Sequence, residues 1–238
     1  MKRKVFIFLS ILLVIFLFTI QDVKLSSSTQ ISTDNNLVII IDAGHGGVDG
    51  GAVSEDGTNE KDINLEISLK LNEILTIMGF DTKMVRTTDV SIHNLDAETI
   101  RQRKNSDLKN RKSLMDEIEN CIYVSIHQNK FSDERIWGAQ TFYSPNNNES
   151  KVLSEFIQTE IVKHIQPTNK RVVKKSGTNI YILYNATKPA VMVECGFMSN
   201  KNELFQLKDE NYQSQMAFSI MSGIVNYHIS EVTNGTEE

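Results

Sequence analysis

The segment Leu37–Asp42, "LVIIID", sets five aliphatic side chains in a row, so neither face of it can be left to water. A short run of this kind, bounded by polar and glycine-rich stretches, suits a strand buried on both sides. Such a strand needs a covering layer above and below, and the rest of the chain alternates as that requires. Asn64–Met78 places Ile67, Leu71, Ile74, Leu75 and Met78 at helical spacing, with Gly79 as a stop. "FDTKMVR" (80–86) alternates like a strand, Ala97–Glu119 predicts a helix, and "CIYVSIH" (121–127) predicts the next strong strand, followed by Ala139–Tyr143. Lys151–Ile165 predicts an amphipathic helix, "IYIL" (180–183) and "AVMVEC" (190–195) short strands, and Ser214–Ile229 a closing helix. The expected fold is α/β: a single, mostly parallel or mixed sheet with helices on both faces, preceded by an N-terminal membrane anchor or signal segment.

That leading segment, "MKRKVFIFLSILLVIFLFTIQD", has three cations and then an apolar run from Val5 to Ile20. The pattern reads as an uncleaved anchor, with a cleaved secretory signal as the alternative; Lys2, Arg3 and Lys4 would stay cytoplasmic and place the remainder outside. The expected division is an anchor or signal over 1–21, a polar tether over 22–36, a catalytic domain over 37–230 and a flexible tail over 231–238. A net charge of −5 over 238 residues argues against nucleic acid as a partner, because phosphate binding needs a clustered basic face. Of the two cysteines, Cys121 begins one predicted strand and Cys195 ends another, which in parallel strands separates them by roughly 20 Å. A disulfide needs Cα atoms within about 7 Å, so none is expected.

In open α/β sheets, reactive residues collect beyond the carboxyl ends of the strands. Three predicted strands end there on a polar side chain: "IDAGHGG" on His45, "VSIHQN" on His127 and "MVECGF" on Glu194. Between the first two, "TNEKDINLEI" sets Glu60 at the start of a helix. Two histidines and a carboxylate make a catalytic zinc set, three protein ligands with the fourth position open to water. The glycines around His45 admit backbone conformations closed to other residues and let a polymer approach. Asp42 is either the acceptor that orients His45 through its second ring nitrogen or a turn residue. Glu60 is a ligand, a helix N-terminal acid, or both. Glu194, ending an apolar strand, is either a general base or a structural acid satisfied by backbone amides. His93, His164 and His228 read as solvated, and Tyr184, Asn185 and Lys188 as neighbours of the cleft.

"DAGHGG", "NEKDINLEI", "VSIHQN" and "TKPAVMVECGFMSN", in that order, resemble the zinc-dependent N-acetylmuramoyl-L-alanine amidases of the third amidase family. The resemblance runs from about Leu37 to the closing helix and is strongest to the germination-specific subgroup of spore formers. It implies one Zn2+ per chain on His45, Glu60 and His127, with Glu194 catalytic. It implies cleavage of the amide between N-acetylmuramic acid and the L-alanine of the stem peptide, in spore cortex a step toward the muramic δ-lactam needed for germination. The expected setting is extracytoplasmic, membrane-anchored or secreted, in the forespore intermembrane space, with peptidoglycan as substrate and a membrane-associated accessory protein as partner. One departure is visible in "NRKSLMDEIEN", which keeps Arg111 where the family often adds a small residue and asparagine; it is expected to lie away from the ligands. A non-cutting glycan-binding module, a two-carboxylate glycosidase and a zinc peptidase are the competing readings. Retention of all three ligands together with Glu194 speaks against the first.

Overall fold

The structure is a computed structural model that describes residues 37–235; the expected anchor (1–21) and tether (22–36) lie outside the described residues. Six strands form one sheet: β1 (Val38–Ala43), β2 (Asp81–Met84), β3 (Cys121–Asn129), β4 (Gln140–Tyr143), β5 (Lys174–Lys175) and β6 (Ala190–Phe197). Among the described residues six helices accompany them: α1 (Glu60–Ile77), α2 (Ile100–Asp116), α3 (Glu149–His164), α4 (Tyr181–Asn185), α5 (Lys201–Leu207) and α6 (Glu210–Gly235). The strand order is β2-β1-β3-β6-β4-β5. β2, β1, β3 and β6 run parallel, and β4 pairs antiparallel to β6, so the sheet is mixed.

The apolar run that opened the chain is β1, and Ile39, Ile40 and Ile41 have no solvent exposure at all. Side chains alternate across a strand, so consecutive buried residues mean that both faces are covered. On one face, Ile40, Tyr123, Ala190 and Met192 pack with Met115 of α2 and with Ile182 and Leu183 of α4. α1 packs on β1, β2 and β3, α3 packs on β4 and β6, and α6 lies against α1 and α3. α2 starts on a capping box, in which Thr99 Oγ1 accepts from the Gln102 amide while Gln102 Oε1 accepts from the Thr99 amide.

Two sequence expectations are corrected. "IYIL" is not a strand: Ile180 is the N-cap of α4, and Tyr181–Leu183 begin the helix. Its exposed Tyr181 and Tyr184 lie three residues apart, with buried Ile182 and Leu183 adjacent between them, a helical pattern too short to read from periodicity alone. His228 is not solvated: it is buried on α6, with its ring edge-to-face against Phe80 at 5.5 Å, and burial pushes the imidazole pKa down. Cys121 and Cys195 are both buried and free.

α3 and α6 meet at Gly223. A Cβ built there would lie 2.5 Å from the Ile157 Cα and 2.7 Å from its nitrogen, inside any permitted contact. Gly223→Ala gains about 1 kcal/mol of helix propensity but overpacks a backbone-to-backbone contact, which costs about 1–3 kcal/mol. The expected outcome is net destabilisation and a lower urea midpoint than the parent chain. An unchanged or raised midpoint would show that the helices separate at little cost.

Candidate metal centre

The turn after β1 carries His45 at φ +63, the one non-glycine residue with positive φ among the described residues. A side chain in this left-handed region costs of order 1 kcal/mol or more and persists only where its surroundings enforce it. The enforcement is visible on the carbonyls of the turn. Arg86 Nε donates to Ala43 O at 2.8 Å, and its Nη2 donates to Gly44 O at 3.1 Å. Arg111 donates to Ala43 O at 3.1 Å and to His45 O at 2.7 Å. Asn64 Nδ2 adds a bond to Gly44 O at 3.1 Å. Three successive carbonyls are therefore held by two buried guanidinium groups and an amide.

The His45 ring is held as well. Its Nδ1 sits 3.0 Å from Asp49 Oδ2, while Nε2 points to Glu60 Oε1 at 3.2 Å. Burial alone would lower the His45 pKa; its hydrogen bonds to the carboxylates of Asp49 and Glu60, with their charges, outweigh it and push the value up to about 9. Asp42, which the sequence offered for orienting this ring, is engaged elsewhere. It pairs with Arg111 and accepts from Tyr123 Oη at 2.6 Å and Ser125 Oγ at 2.7 Å. Asp42 leaves β1 on the face covered by α2, whereas Asp49 follows the turn and comes back beside the ring. Arg111 is likewise not remote from the ligands, because it binds the His45 carbonyl directly and is anchored on α2 by Asp107 at 2.6 Å.

Glu60 is the first residue of α1 and only 4% exposed. Its Oε1 accepts from the Gln128 amide at 3.1 Å and lies 2.9 Å from His127 Nδ1; Oε2 accepts from the Ala52 amide at 2.8 Å. Burial would raise this carboxyl, but the hydrogen bonds and charges of His127 and His45 hold it well below the usual carboxylate range. His127 lies on β3, with its ring centroid 4.9 Å from that of His45. One donor atom each from His45, Glu60 and His127 fall within 4.8 Å of one another. The surrounding glycines serve this convergence first. A Cβ on Gly44 would overlap His127 Nε2 at 2.2 Å, and one on Gly51 (φ +69) would meet Glu60 Oε2 at 2.5 Å. The glycine-rich turn thus clears room for the donor side chains themselves.

Glu194 faces this cluster from the neighbouring strand. His127 and Glu194 are register partners in the parallel β3–β6 pair, so their side chains leave the same face. Among the described residues nothing hydrogen-bonds Glu194 Oε2, although that atom is closed off from solvent. Burial pushes the carboxyl up to about 7, with His127 and His45 lowering it and Glu60 raising it further. The reading of Glu194 as an acid satisfied by backbone amides therefore fails at this oxygen. Two imidazoles and one carboxylate suit Zn2+, which accepts mixed N and O donors in fours, better than Ca2+ or Mg2+, which prefer all-oxygen shells. The set contributes three protein donors, one fewer than the four that zinc takes.

His93 and His164 stand apart from this cluster, His93 beside Ser91 Oγ at 2.8 Å and His164 beside Glu160 at 2.8 Å. Lys188, expected near the cleft, instead donates to Glu119 O at the amino end of β3. Sequence reasoning missed Arg86, Asp49 and the part played by Arg111. The available signal was an arginine closing a predicted strand and an acid four residues after the histidine.

The family described as N-acetylmuramoyl-L-alanine amidase matches residues 39–226 of the chain. A germination-specific N-acetylmuramoyl-L-alanine amidase of Bacillus subtilis is 34% identical over 190 residues, spanning 80% of this chain and 79% of that one. Among solved structures, the CwlD amidase from Clostridioides difficile in complex with the GerS lipoprotein superposes with a TM-score of 0.77 at 43% identity, covering 80% of this chain and 97% of that one. An N-acetylmuramoyl-L-alanine amidase from Clostridium difficile 630 gives a TM-score of 0.70 at 29% identity, covering 80% and 96%.

The closed-off, unpartnered Oε2 of Glu194 has a consequence for stability. Its folded-state pKa of about 7 exceeds the ordinary 4.5, so the folded chain holds this proton more tightly than the unfolded chain does. The resulting stability is present below pH 4.5 and is lost as pH rises through 7. Glu194→Gln has no proton to lose. In chelator, the urea-unfolding free energy of Glu194→Gln relative to the parent should rise by on the order of 2–3 kcal/mol between pH 4.5 and pH 8. A difference that stays constant with pH would contradict the raised value.

Proposed function

The chain belongs to the N-acetylmuramoyl-L-alanine amidase family and is a peptidoglycan hydrolase; from that premise we propose that it is zinc-dependent, with His45, Glu60 and His127 as ligands to one ion and Glu194 as the general base. The observation that carries this reading is the convergence of three donor atoms within 4.8 Å, beside a carboxyl whose buried Oε2 has no hydrogen-bond partner among the described residues. Bound zinc would supply Lewis acidity, which makes water acidic near neutral pH and stabilises negative charge on a carbonyl oxygen. The protein's own groups do the rest. Asp49, on Nδ1 of His45, leaves Nε2 free to serve as donor. Glu60, fixed by the Ala52 and Gln128 amides, offsets part of the cation's charge and limits the site's acidity.

Glu194 takes the proton of the attacking water as the hydroxyl oxygen bonds to the lactyl carbonyl carbon of N-acetylmuramic acid. A carboxylate set beside the attacking water can accept that proton and give it up again. When the C–N bond breaks, Glu194 returns the proton to the nitrogen of the departing L-alanine. The products are a lactyl carboxylate on the glycan and a stem peptide with a free amine. A zinc peptidase would use the same groups on a bond within the stem, and the family match favours the amide at the sugar.

As a cell-wall hydrolase the chain acts outside the cytoplasm. No helix among the described residues is long and apolar enough to cross a membrane. We assign membrane attachment or export to residues 1–21 and a tether to 22–36, on the cationic and apolar pattern of their sequence. The similarity to a germination-specific amidase supports a place in spore cortex, on the path to muramic δ-lactam in the forespore intermembrane space. The relative solved with a lipoprotein supports a membrane-associated accessory protein as partner here too.

Two outcomes are expected. Glu194→Gln should bind one zinc per chain while releasing no stem peptide from peptidoglycan, read by metal analysis and mass spectrometry of muropeptides; near-parental release would remove Glu194 from the mechanism. Asp49→Asn should weaken zinc binding by about 10–100-fold in competition with a chromophoric chelator, because a metal-bound imidazole loses its orienting partner. Unchanged zinc affinity would show that Asp49 holds the loop and not the ligand.

A further inference from the structure

Arg171 is a fixed guanidinium with no acid in contact. Its Nε donates to Trp137 O at 2.8 Å and its Nη1 to Gln140 Oε1 at 3.2 Å, while the group lies 4.6 Å over the centre of the Phe197 ring. Its own backbone amide donates to Asn169 Oδ1 at 2.9 Å, and Asn169 is buried and bound in turn to Ala139 O. Among the described residues no carboxylate lies within ion-pairing distance of it. Glu203, the acid whose electrostatic environment includes Arg171, directs its oxygens to the amides of Gly138 at 3.0 Å and Phe197 at 2.8 Å. An arginine held on one edge and stacked on one face has already lost most of its rotamer freedom, and its remaining N–H groups are set for an anion from outside.

The position relative to the reaction is given by the sheet. Gln140 on β4 is the register partner of Glu194 on β6, and directly opposed residues in an antiparallel pair project from the same face. The segment through Arg171 and Val172 runs on the far side of β4, where Gln140 Nε2 donates to Val172 O at 2.8 Å, before the chain enters β5. The Arg171 guanidinium lies over Phe197, three residues along β6 from Glu194 and on the same face through the register with His127 and Asn129, which sets it roughly 10 Å from Glu194. An extended peptide advances about 3.3 Å per residue. A substrate whose scissile amide lies at Glu194 would bring the second or third residue of its peptide to Arg171. In a stem with γ-linked D-glutamate followed by diaminopimelate, both positions carry free carboxylates.

We propose that Arg171, held by Trp137, Gln140 and Phe197, is a specificity-determining residue that binds a carboxylate of the stem peptide. This rests on the amidase reading above. The partner is the acidic peptide rather than the glycan, because a fixed planar guanidinium matches a carboxylate bidentately, whereas the sugar beside the scissile bond presents hydroxyls and an acetamido group. Removing the charge should weaken recognition of free-acid peptides and leave recognition of their amides unchanged.

The test is a calorimetric titration of the full chain with the tripeptide L-Ala-γ-D-Glu-diaminopimelate and with the same peptide amidated at its carboxylates. The unsubstituted chain should bind the acid at least about tenfold more tightly than the amide, the scale of a charge-assisted hydrogen bond. Arg171→Gln should abolish that preference by weakening the acid alone, and Arg171→Lys, which keeps the charge without the planar geometry, should retain part of it. On intact peptidoglycan the Arg171→Gln loss should fall on KM rather than kcat. The proposal is overturned if the unsubstituted chain shows no preference, if Arg171→Gln keeps the full preference, or if it weakens both peptides equally. Binding is read without turnover, so a chain that selects the acid peptide yet cleaves no peptidoglycan would refute the amidase mechanism and leave this assignment intact.

Discussion

The structure depends on the grip that Arg86 and Arg111 take on the three carbonyls of Ala43, Gly44 and His45. β1 delivers the chain to the carboxyl edge of the sheet, but a strand end is free to turn in several directions. Hydrogen bonds from charged donors are worth roughly 1.5–3 kcal/mol each, and they outweigh the cost of holding His45 in a left-handed conformation. Arg86 comes from just beyond β2 and also binds Lys61 O on α1 at 2.8 Å, while Arg111 comes from α2. The turn is thus tied at once to elements on both sides of the sheet, and the His45 ring inherits its position from the fold as a whole.

Charge balance explains why the centre can exist in so buried a place. Asp42 and Asp107 neutralise Arg111, which is only 2% exposed, and Tyr123 and Ser125 satisfy the remaining oxygen of Asp42. Burial would raise the Asp42 carboxyl, yet Arg111 and the Tyr123 hydroxyl hold it below its ordinary value. Above this closed network lies an open one. Glu60 answers two imidazoles, and Glu194 answers nothing on Oε2. Removing one member of a buried ion pair generally costs 3–5 kcal/mol, so the lower network tolerates little change. The upper one is left incomplete at the place where the proposed reaction needs a cation and a proton acceptor.

Much of this could be read from the residues. The β1, β3 and β6 strands are short, apolar and followed by polar side chains, so their parallel arrangement and the meeting of His45, His127 and Glu194 at one edge followed from elementary patterning. Glu60 was legible because a helix start falls between the two histidines. What stayed hidden depends on direction and long-range pairing. Asp42 and Asp49 look alike as partners for His45, and only the path of the turn shows that the first points into the α2 layer and the second returns to the ring. Arg111 lies sixty-six positions from the His45 carbonyl it holds, a separation no local pattern encodes. The five residues "YILYN" fold as α4 because Ile182 and Leu183 cap the core together, and a segment that short carries no decisive period.

The central claim is that one divalent ion brings His45, Glu60 and His127 together beside Glu194. A crystal of the zinc-loaded chain, with anomalous data collected across the zinc absorption edge, tests it most directly. The account predicts a single strong peak within about 2.0–2.2 Å of a nitrogen from each imidazole and an oxygen of Glu60, with the Glu194 carboxyl facing the remaining coordination position. A peak elsewhere, or full occupancy with any of those three side chains turned away, would contradict it.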